Sequence, residues 1–314
     1  MGFGSAYVAT SFALVALGPV PAAAWRSLIA TLLIAALIAV RGRSGGEGAA
    51  ADRISVAAPG VDAVPAGEPA PGEREDAAPT TAARAVRLLV LSTLAGPLFL
   101  TSMNLAVAHV GAAIAAFVAG LYAVLSAVIA PALLPERLTA RVLAGFVLAL
   151  GGTALLAQLD PSSADLVGIG WGGLAASAFA LYLVLTRRWS RRYRLDGMTV
   201  ALANGGLTAI VLGGVLLATD PGSLAPTSVS ASVVIALIWL GVVAAMGPVL
   251  TVASVRLIPA ARSAAFLLFN PITATVLAFL LLGERPAPLQ ITGGVLVLLG
   301  MAAATLPGRS SRQA

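Results

Sequence analysis

Leu133-Leu134-Pro135-Glu136-Arg137, with the apolar run that follows it to Ala157, returns as Leu281-Leu282-Gly283-Glu284-Arg285 with a run to Thr305. Laid on each other without a gap, 133–157 and 281–305 share both leucines, Glu136/Glu284, Arg137/Arg285, Gly145/Gly293, Val147/Val295, Leu148/Leu296, Leu150/Leu298, Gly152/Gly300 and Ala154/Ala302. An acidic-basic pair thus stands between two long apolar stretches in each half of the chain. A duplication of this length predicts one helical unit used twice.

Composition sets the solvent. Of 314 residues, 59% are hydrophobic and 10% charged, and the mean hydropathy is +0.97. A soluble domain carries about a quarter charged residues. This chain reads instead as a polytopic helical membrane protein. The net charge of +6 comes from arginine alone, since lysine is absent. A basic balance of this kind is tested first against the rule that cytoplasmic loops are basic, and no nucleic-acid partner is expected. Without cysteine there is no disulfide framework, thiolate metal site or cysteine nucleophile. The start, Met1-Gly2-Phe3-Gly4, lacks the basic flank of a cleavable signal peptide.

Outward from the repeated stretch, the chain divides into apolar spans. Pro19 and Pro21 split the first, predicting helices to about Leu17 and from Pro21 to Val40. The first is short against the roughly 20 residues a bilayer needs, so the reading expects either a tilted helix or more chain upstream of Met1. Residues 41–84 are rich in Ala, Gly, Pro and acids, with almost no large apolar content, and are expected to be a disordered loop. Further helices are predicted over 86–107, 111–134, 139–158, 167–186, 197–218, 231–255, 260–282 and 287–306. In lipid every backbone polar group must be paired within its own segment, so helices are the economical choice. The expected fold is all-α, with ten transmembrane helices in two five-helix repeats over 1–158 and 167–306 and a tail over 307–314.

Alternate connections hold Arg41, Arg43, Arg53, Arg74, Arg84 and Arg87, then Arg137 and Arg141, then Arg187, Arg188, Arg191, Arg192 and Arg194, then Arg285, with Arg309 and Arg312 in the tail. The others hold Asp160, Asp165 and Asp220, with Arg256 and Arg262 as exceptions. The asymmetry puts both termini in the cytoplasm, in a cell (inner) membrane protein. On this reading both Glu-Arg stretches are cytoplasmic hinges rather than parts of a site. Five helices per copy is an odd number, so the second copy enters the membrane inverted, the architecture of secondary transporters with a site near the midplane.

Signatures of catalysis are nearly absent. With no lysine there is no Walker A site. Gly168-Ile169-Gly170-Trp171-Gly172-Gly173 follows no strand and reads as close helix packing rather than a phosphate loop. The one histidine, His109, builds no metal site and reads as a satisfied or solvated residue at a helix junction. No Asp or Glu falls deep in a span, so no carboxylate proton relay is visible. The charges left in or near the membrane are Arg26, Arg256 and Arg262. For Arg26 two readings stand: recognition of a substrate carboxylate, or snorkelling to the headgroups. Polar and aromatic residues within spans form a second set: Tyr7, Asn104, Tyr122, Gln158, Trp171, Tyr182, Asn204, Trp239 and Asn270. The repeat register pairs Tyr122 with Asn270, which precedes Pro271 at a helix-bending position. Interhelical hydrogen bonding competes with a site role for the asparagines.

The Glu136-Arg137 hinge with its Gly-rich following helix, and Phe269-Asn270-Pro271 with Glu284-Arg285 and Gly293-Gly294, resemble the two copies of the EamA repeat. Trp171-Gly172 and, more weakly, Phe3-Gly4 are similar to the aromatic-glycine opening of each copy, and Arg26 to an arginine early in the second helix. The resemblance implies a ten-helix permease of the drug/metabolite transporter superfamily, usually an exporter of amino acids, metabolites or related small molecules. The first copy departs from it with Gly120-Leu121-Tyr122-Ala123 where proline is often found, and the 41–84 loop is unusual. The expectation is a secondary transporter that is no enzyme and needs no cofactor or metal, its partners being a small-molecule substrate and the bilayer. Tyr7, Arg26, Asn104, Tyr122, Trp171, Trp239 and Asn270 are the candidate substrate-binding residues. The alternative is a non-transporting membrane scaffold that recruits partners through the 41–84 loop.

Overall fold

A computed structural model describes residues 2–44, 80–134, 139–157, 165–190, 192–193, 195–225, 230–258 and 288–305, with single positions at 270, 273, 276 and 280. Among these, regular structure is helical and there is no strand. The helices are α1 (Gly2–Leu14), α2 (Pro19–Ser44), α3 (Thr81–Gly111), α4 (Ile114–Leu133), α5 (Ala140–Ala157), α6 (Leu166–Ser190), α7 (Gly197–Thr219), α8 (Ala231–Leu257) and α9 (Pro288–Thr305). A short 3-10 turn, Pro221–Leu224, follows α7.

Six of these are long and apolar enough to cross a membrane: α2 over Pro19–Val40, α3, α4, α6, α7 and α8. α5 and α9 contain shorter apolar stretches, and α1, at 13 residues or about 20 Å of rise, is shorter than a bilayer core. The expected span over 260–282, both Glu-Arg stretches and most of the 41–84 loop lie outside the described residues. At the edges of that loop helix replaces the expected coil. α2 continues to Ser44, and α3 starts at Thr81 behind an N-cap in which Thr80 Oγ1 accepts from the Ala83 N–H at 3.2 Å. The first break falls at Gly18-Pro19 rather than Pro21, because proline suits the first turn of a helix, where no N–H is needed.

α3 carries two departures from regular geometry. Leu94–Leu98 is a π-turn around Gly96-Pro97, with Gly96 at φ −92° and ψ −107°. Pro97 has no N–H to give and its ring opposes a regular turn. Gly111, at φ +77°, ends α3 in a conformation that disfavours any residue with a Cβ. Elsewhere hydroxyls are kept from lipid by bonding the carbonyl four residues back. Thr31, Thr153 and Thr208 do so at 2.7, 2.9 and 2.6 Å.

α5 and α9 pack antiparallel at backbone distance. A Cβ placed on Gly145 would lie 2.6 Å from Gly300 O, and one on Gly152 would lie 2.5 Å from Gly293 O. Ordinary carbon–oxygen contact is longer, so only glycine admits this approach. α5 and α9 therefore begin at opposite ends of the bundle.

The helix ends sort by charge. At one end Arg188 Nη1 donates to Leu133 O at 2.8 Å, Arg187 Nη1 to Val255 O, and Arg256 Nη2 to Ser190 O at 3.1 Å and Leu195 O at 2.7 Å. The C-termini of α4, α6 and α8 are thereby held together by cations, where the helix dipole favours them. Arg87 joins this end, its guanidinium 4.1 Å from the Tyr193 ring centroid and 5.6 Å from that of Trp189. Arg256 is therefore no exception to the charge asymmetry: α8 ends on the same side as α6. The opposite end is tied by Asn104 Nδ2 to Pro19 O (2.9 Å), Trp25 Nε1 to Leu224 O (2.8 Å) and His109 Nδ1 to Asp165 Oδ2 (2.7 Å). His109 is thus a paired junction residue, as the sequence suggested.

Candidate functional site

Arg26 lies two turns into α2 and is only 6% exposed. It opens onto a cavity of about 50 Å³ lined by α2, the π-turn of α3, α6, α7 and α8. Ser27 and Ala30 share its wall; Phe99, Phe179 and Tyr182 form an aromatic side; Asn204 and Gly205 face from α7; Val243, Gly247, Pro248 and Thr251 complete it from α8.

The local sequence explains why space exists here. Gly96-Pro97 breaks α3 into its π-turn, Gly247-Pro248 lies inside α8, and Gly96, Gly247 and Pro248 line the cavity. Pro248 cannot donate to Ala244 O, so a carbonyl that an unbroken helix would consume is released in the cavity wall. A Cβ on Gly96 would run into Thr208 Oγ1 and stand 3.0 Å from Asn204 O, so glycine lets the broken helix close on α7.

Arg26 is the only formal charge among the described lining residues. The Tyr182 hydroxyl and Asn204 Oδ1 are buried without a hydrogen-bond partner. Asn204 and Thr186 neighbour the phenol, but neither meets hydrogen-bonding geometry with it. Polar atoms left unmatched in a protein interior are rare and costly, and they mark where a ligand or water is received. The aromatic side is a stacked set. Phe179 lies 4.8 Å from Phe99 and 5.6 Å from Tyr182, and meets Tyr122 edge-on at 5.2 Å and 75°.

Of the residues singled out in the sequence, Arg26 is in the lining. Tyr122 is 4% exposed and stands one layer back, behind Phe179. Asn104, 2% exposed, donates from Nδ2 to Pro19 O, which holds α3 to the start of α2, while its Oδ1 has no partner. Trp171 packs against the cluster that contains Met103, Ala106 and Ala115. Trp239 is 44% exposed and donates from Nε1 to Ser5 Oγ at 2.8 Å. Asn270 is buried, in a stretch mostly outside the described residues, and the Tyr7 side chain is outside them too. Tyr182 and Asn204 belong to the wider polar set of the sequence; Ser27, Phe99, Phe179 and Thr251 do not. The signal that finds them is a Gly-Pro pair in the third apolar span of each half, since paired interruptions of this kind point to a transporter's site.

The EamA-like transporter family's sequence model matches residues 69–158 and again 166–306. One solved crystal structure superposes on 97% of this chain and 93% of its own, with a TM-score of 0.69 and 19% identity, a likeness of fold alone. No curated protein matches. Two family matches over most of the chain, in a bundle of apolar helices, make this a multi-pass membrane protein, and the chain belongs to the EamA-like transporter family.

Proposed function

We propose that the chain is a secondary transporter that moves small organic metabolites, such as amino acids or drugs, across the cytoplasmic membrane by alternating access. The observation that carries the reading is the cavity itself. One Gly-Pro pair from each half, a buried arginine and the unmatched side-chain oxygens of Ser27, Tyr182 and Asn204 meet in one space. Broken helices at the contact of two halves are how transporters present backbone and side-chain groups to a solute.

Inversion of the repeats is supported by the α5–α9 contact. Gly145 is equivalent to Gly293, and Gly152 to Gly300, yet Gly145 meets Gly300 and Gly152 meets Gly293. Such crossed pairing belongs to an interface with a twofold axis. With the span over 260–282 the count becomes ten helices, five in each half, with the domain limits read from the sequence. The cluster of arginines at the ends of α4, α6 and α8 supports placing that end, and both termini, in the cytoplasm. Arg26, Tyr182 and Asn204 are the first-choice contacts. Tyr122 acts through Phe179 as a positioning residue, and Asn270 contributes from the span expected over 260–282.

The test is flux in proteoliposomes across a panel of amino acids, organic acids and cationic drugs. Saturable flux of at least one compound, lost in Gly247→Leu, is expected. Absence of flux for every compound counts against the proposal.

A further inference from the structure

We propose that a solute passes between the cavity and the arginine end of the bundle along α3 and α6, and that Arg87, stacked on Trp189 and Tyr193, is the gate of this passage; the inference rests on the transport reading above. Three observations on residues outside the cavity carry it.

The first is where the two halves are joined. α3 belongs to the first half and α6 to the second; Gly96 of one and Tyr182 of the other line the cavity. From there both helices run to the arginine end. Trp189 stands in the last turn of α6 and Tyr193 just past it, and the Arg87 guanidinium of α3 lies 5.6 Å and 4.1 Å from their ring centroids. One turn nearer the cavity, on the same face of α3, is Leu91. It is 0% exposed and belongs to the buried cluster that contains Leu183, Leu195 and Val255. An apolar plug with a cation clasped over it closes the way. Arg187 and Arg256 bond α6 to α8 within the second half, so parting α3 from α6 leaves those bonds in place.

The second is the hydroxyls beside the plug. Buried hydroxyls elsewhere bond a carbonyl of their own helix, as Ser126 does to Ala123 O at 2.8 Å and Thr153 to Ala149 O at 2.9 Å. Ser92, next to Leu91 on α3, and Ser190, at the end of α6, are 1% and 0% exposed, and neither Oγ has a partner. Thr186 lies one turn from Ser190 and one turn from Tyr182, whose phenol it adjoins, so a row of hydroxyls joins the cavity wall to the arginine end. Unmatched hydroxyls are costly in a bundle interior. Parting α3 from α6 gives them water or the solute as partners.

The third is the kind of contact that closes the passage. Among the described residues no carboxylate pairs with Arg87. Its Nη1 donates to Ala83 O of its own helix at 2.9 Å, a bond that can persist when the halves part. Opening a buried ion pair strands an unpaired charge, whereas a cation leaving neutral rings strands none. Stacking of this class shifts an equilibrium by about two- to thirtyfold. That favours the closed passage and is small enough to be overcome in every cycle.

The chain has no cysteine, so Ser92→Cys introduces a single thiol of similar shape. Its rate of reaction with a small hydrophilic maleimide is measured on the detergent-solubilised full chain, with Arg87 in place and in Arg87→Ala. Reaction about two- to thirtyfold faster in Arg87→Ala is expected. Tyr193→Leu should give a similar gain, and adding it to Arg87→Ala no more, because both remove one contact. Thr153→Cys, as buried on α5, should react slowly in every background. In proteoliposomes, joining Arg87→Cys to Tyr193→Cys by a reducible thiol bridge should stop flux, and reduction should restore it. If Arg87→Ala does not fold, Tyr193→Leu decides. Equal reactivity of Ser92→Cys with and without the clasp, an equal acceleration of Thr153→Cys, or undiminished flux with the bridge closed overturns the inference. Gated reactivity of Ser92→Cys in a chain that moves no solute overturns the transport reading instead and leaves a gated cleft.

Discussion

Substituting Gly300 by alanine places one methyl group where α5 and α9 touch. That carbon would sit 2.5 Å from both Ala149 N and Gly145 O and 2.7 Å from Ala149 Cβ. Comfortable contacts for carbon begin at roughly 3.5 Å, so the helices must separate by about 1 Å. Overpacking of this kind costs about 1–3 kcal/mol. The controls are glycines on other faces of the same two helices. A methyl group on Gly294 or Gly151 would have nothing within 4 Å, and alanine there should be neutral or gain up to about 1 kcal/mol in helix propensity. Because Gly145 and Gly300 face each other, the double variant Gly145→Ala/Gly300→Ala should cost less than the sum of its parts: the first methyl has already moved the helices apart. Reversible unfolding in mixed micelles, followed by far-UV dichroism, measures each variant. Equal stability of Gly300→Ala and Gly294→Ala would refute the close antiparallel packing, and with it the support for inversion.

Gly96→Ala should abolish flux, because its methyl collides with Thr208 Oγ1, and Thr208→Ala added to it should restore part of the loss, as read in proteoliposomes. Asp196 caps α7, its carboxylate accepting from Thr199 N at 2.9 Å and from the Thr199 hydroxyl; Asp196→Ala should cost about 0.5–2 kcal/mol in the same unfolding assay. Asp165 is held below the ordinary carboxylate range, first by His109 and then by the Val167 N–H. Its pairing therefore contributes stability that is present above about pH 4, the unfolded value, and is lost as pH falls through the lower folded value. His109→Ala should be less stable above about pH 4 and lose less stability on acidification than the parent, seen in stability measured from pH 6 down to 2; an unchanged acid limb would show the pair to be idle.

Much of the fold can be read in the chain because lipid leaves few options. Apolar runs of about 20 residues, cut by Pro19, Gly111 and the acidic or basic connections, become helices close to where the hydrophobic runs place them. The edges differ where propensity outruns polarity: α2 carries on through Arg41 and Arg43 to Ser44, since arginine favours helix. The site is harder to read. A charge in a span has a cost that marks it in the sequence, and so Arg26 stands out. Aromatic and amide residues carry no such mark. Trp239 and Tyr182 are alike in sequence, yet one meets the outside of the bundle and the other its cavity. Lipid-facing and core-facing sides are both apolar, so the pattern that orients a helix in a water-soluble protein is weak here. The assignment of membrane sides fails at one step, the parity of the connection after α8, which puts Arg256 on the wrong end; its bonds to Ser190 O and Leu195 O correct it.

The most direct test of alternating access uses the chain's own lack of cysteine. His109→Cys/Asp165→Cys joins α3 to α6 at one end, and Leu133→Cys/Arg188→Cys joins α4 to α6 at the other; each bridges the two halves across a contact seen in the structure. Flux of a transported solute is measured in proteoliposomes before and after closing either pair with a short thiol-reactive bridge, and again after reduction. The account predicts that either bridge alone stops flux and that reduction restores it. Undiminished flux with either end locked would contradict it.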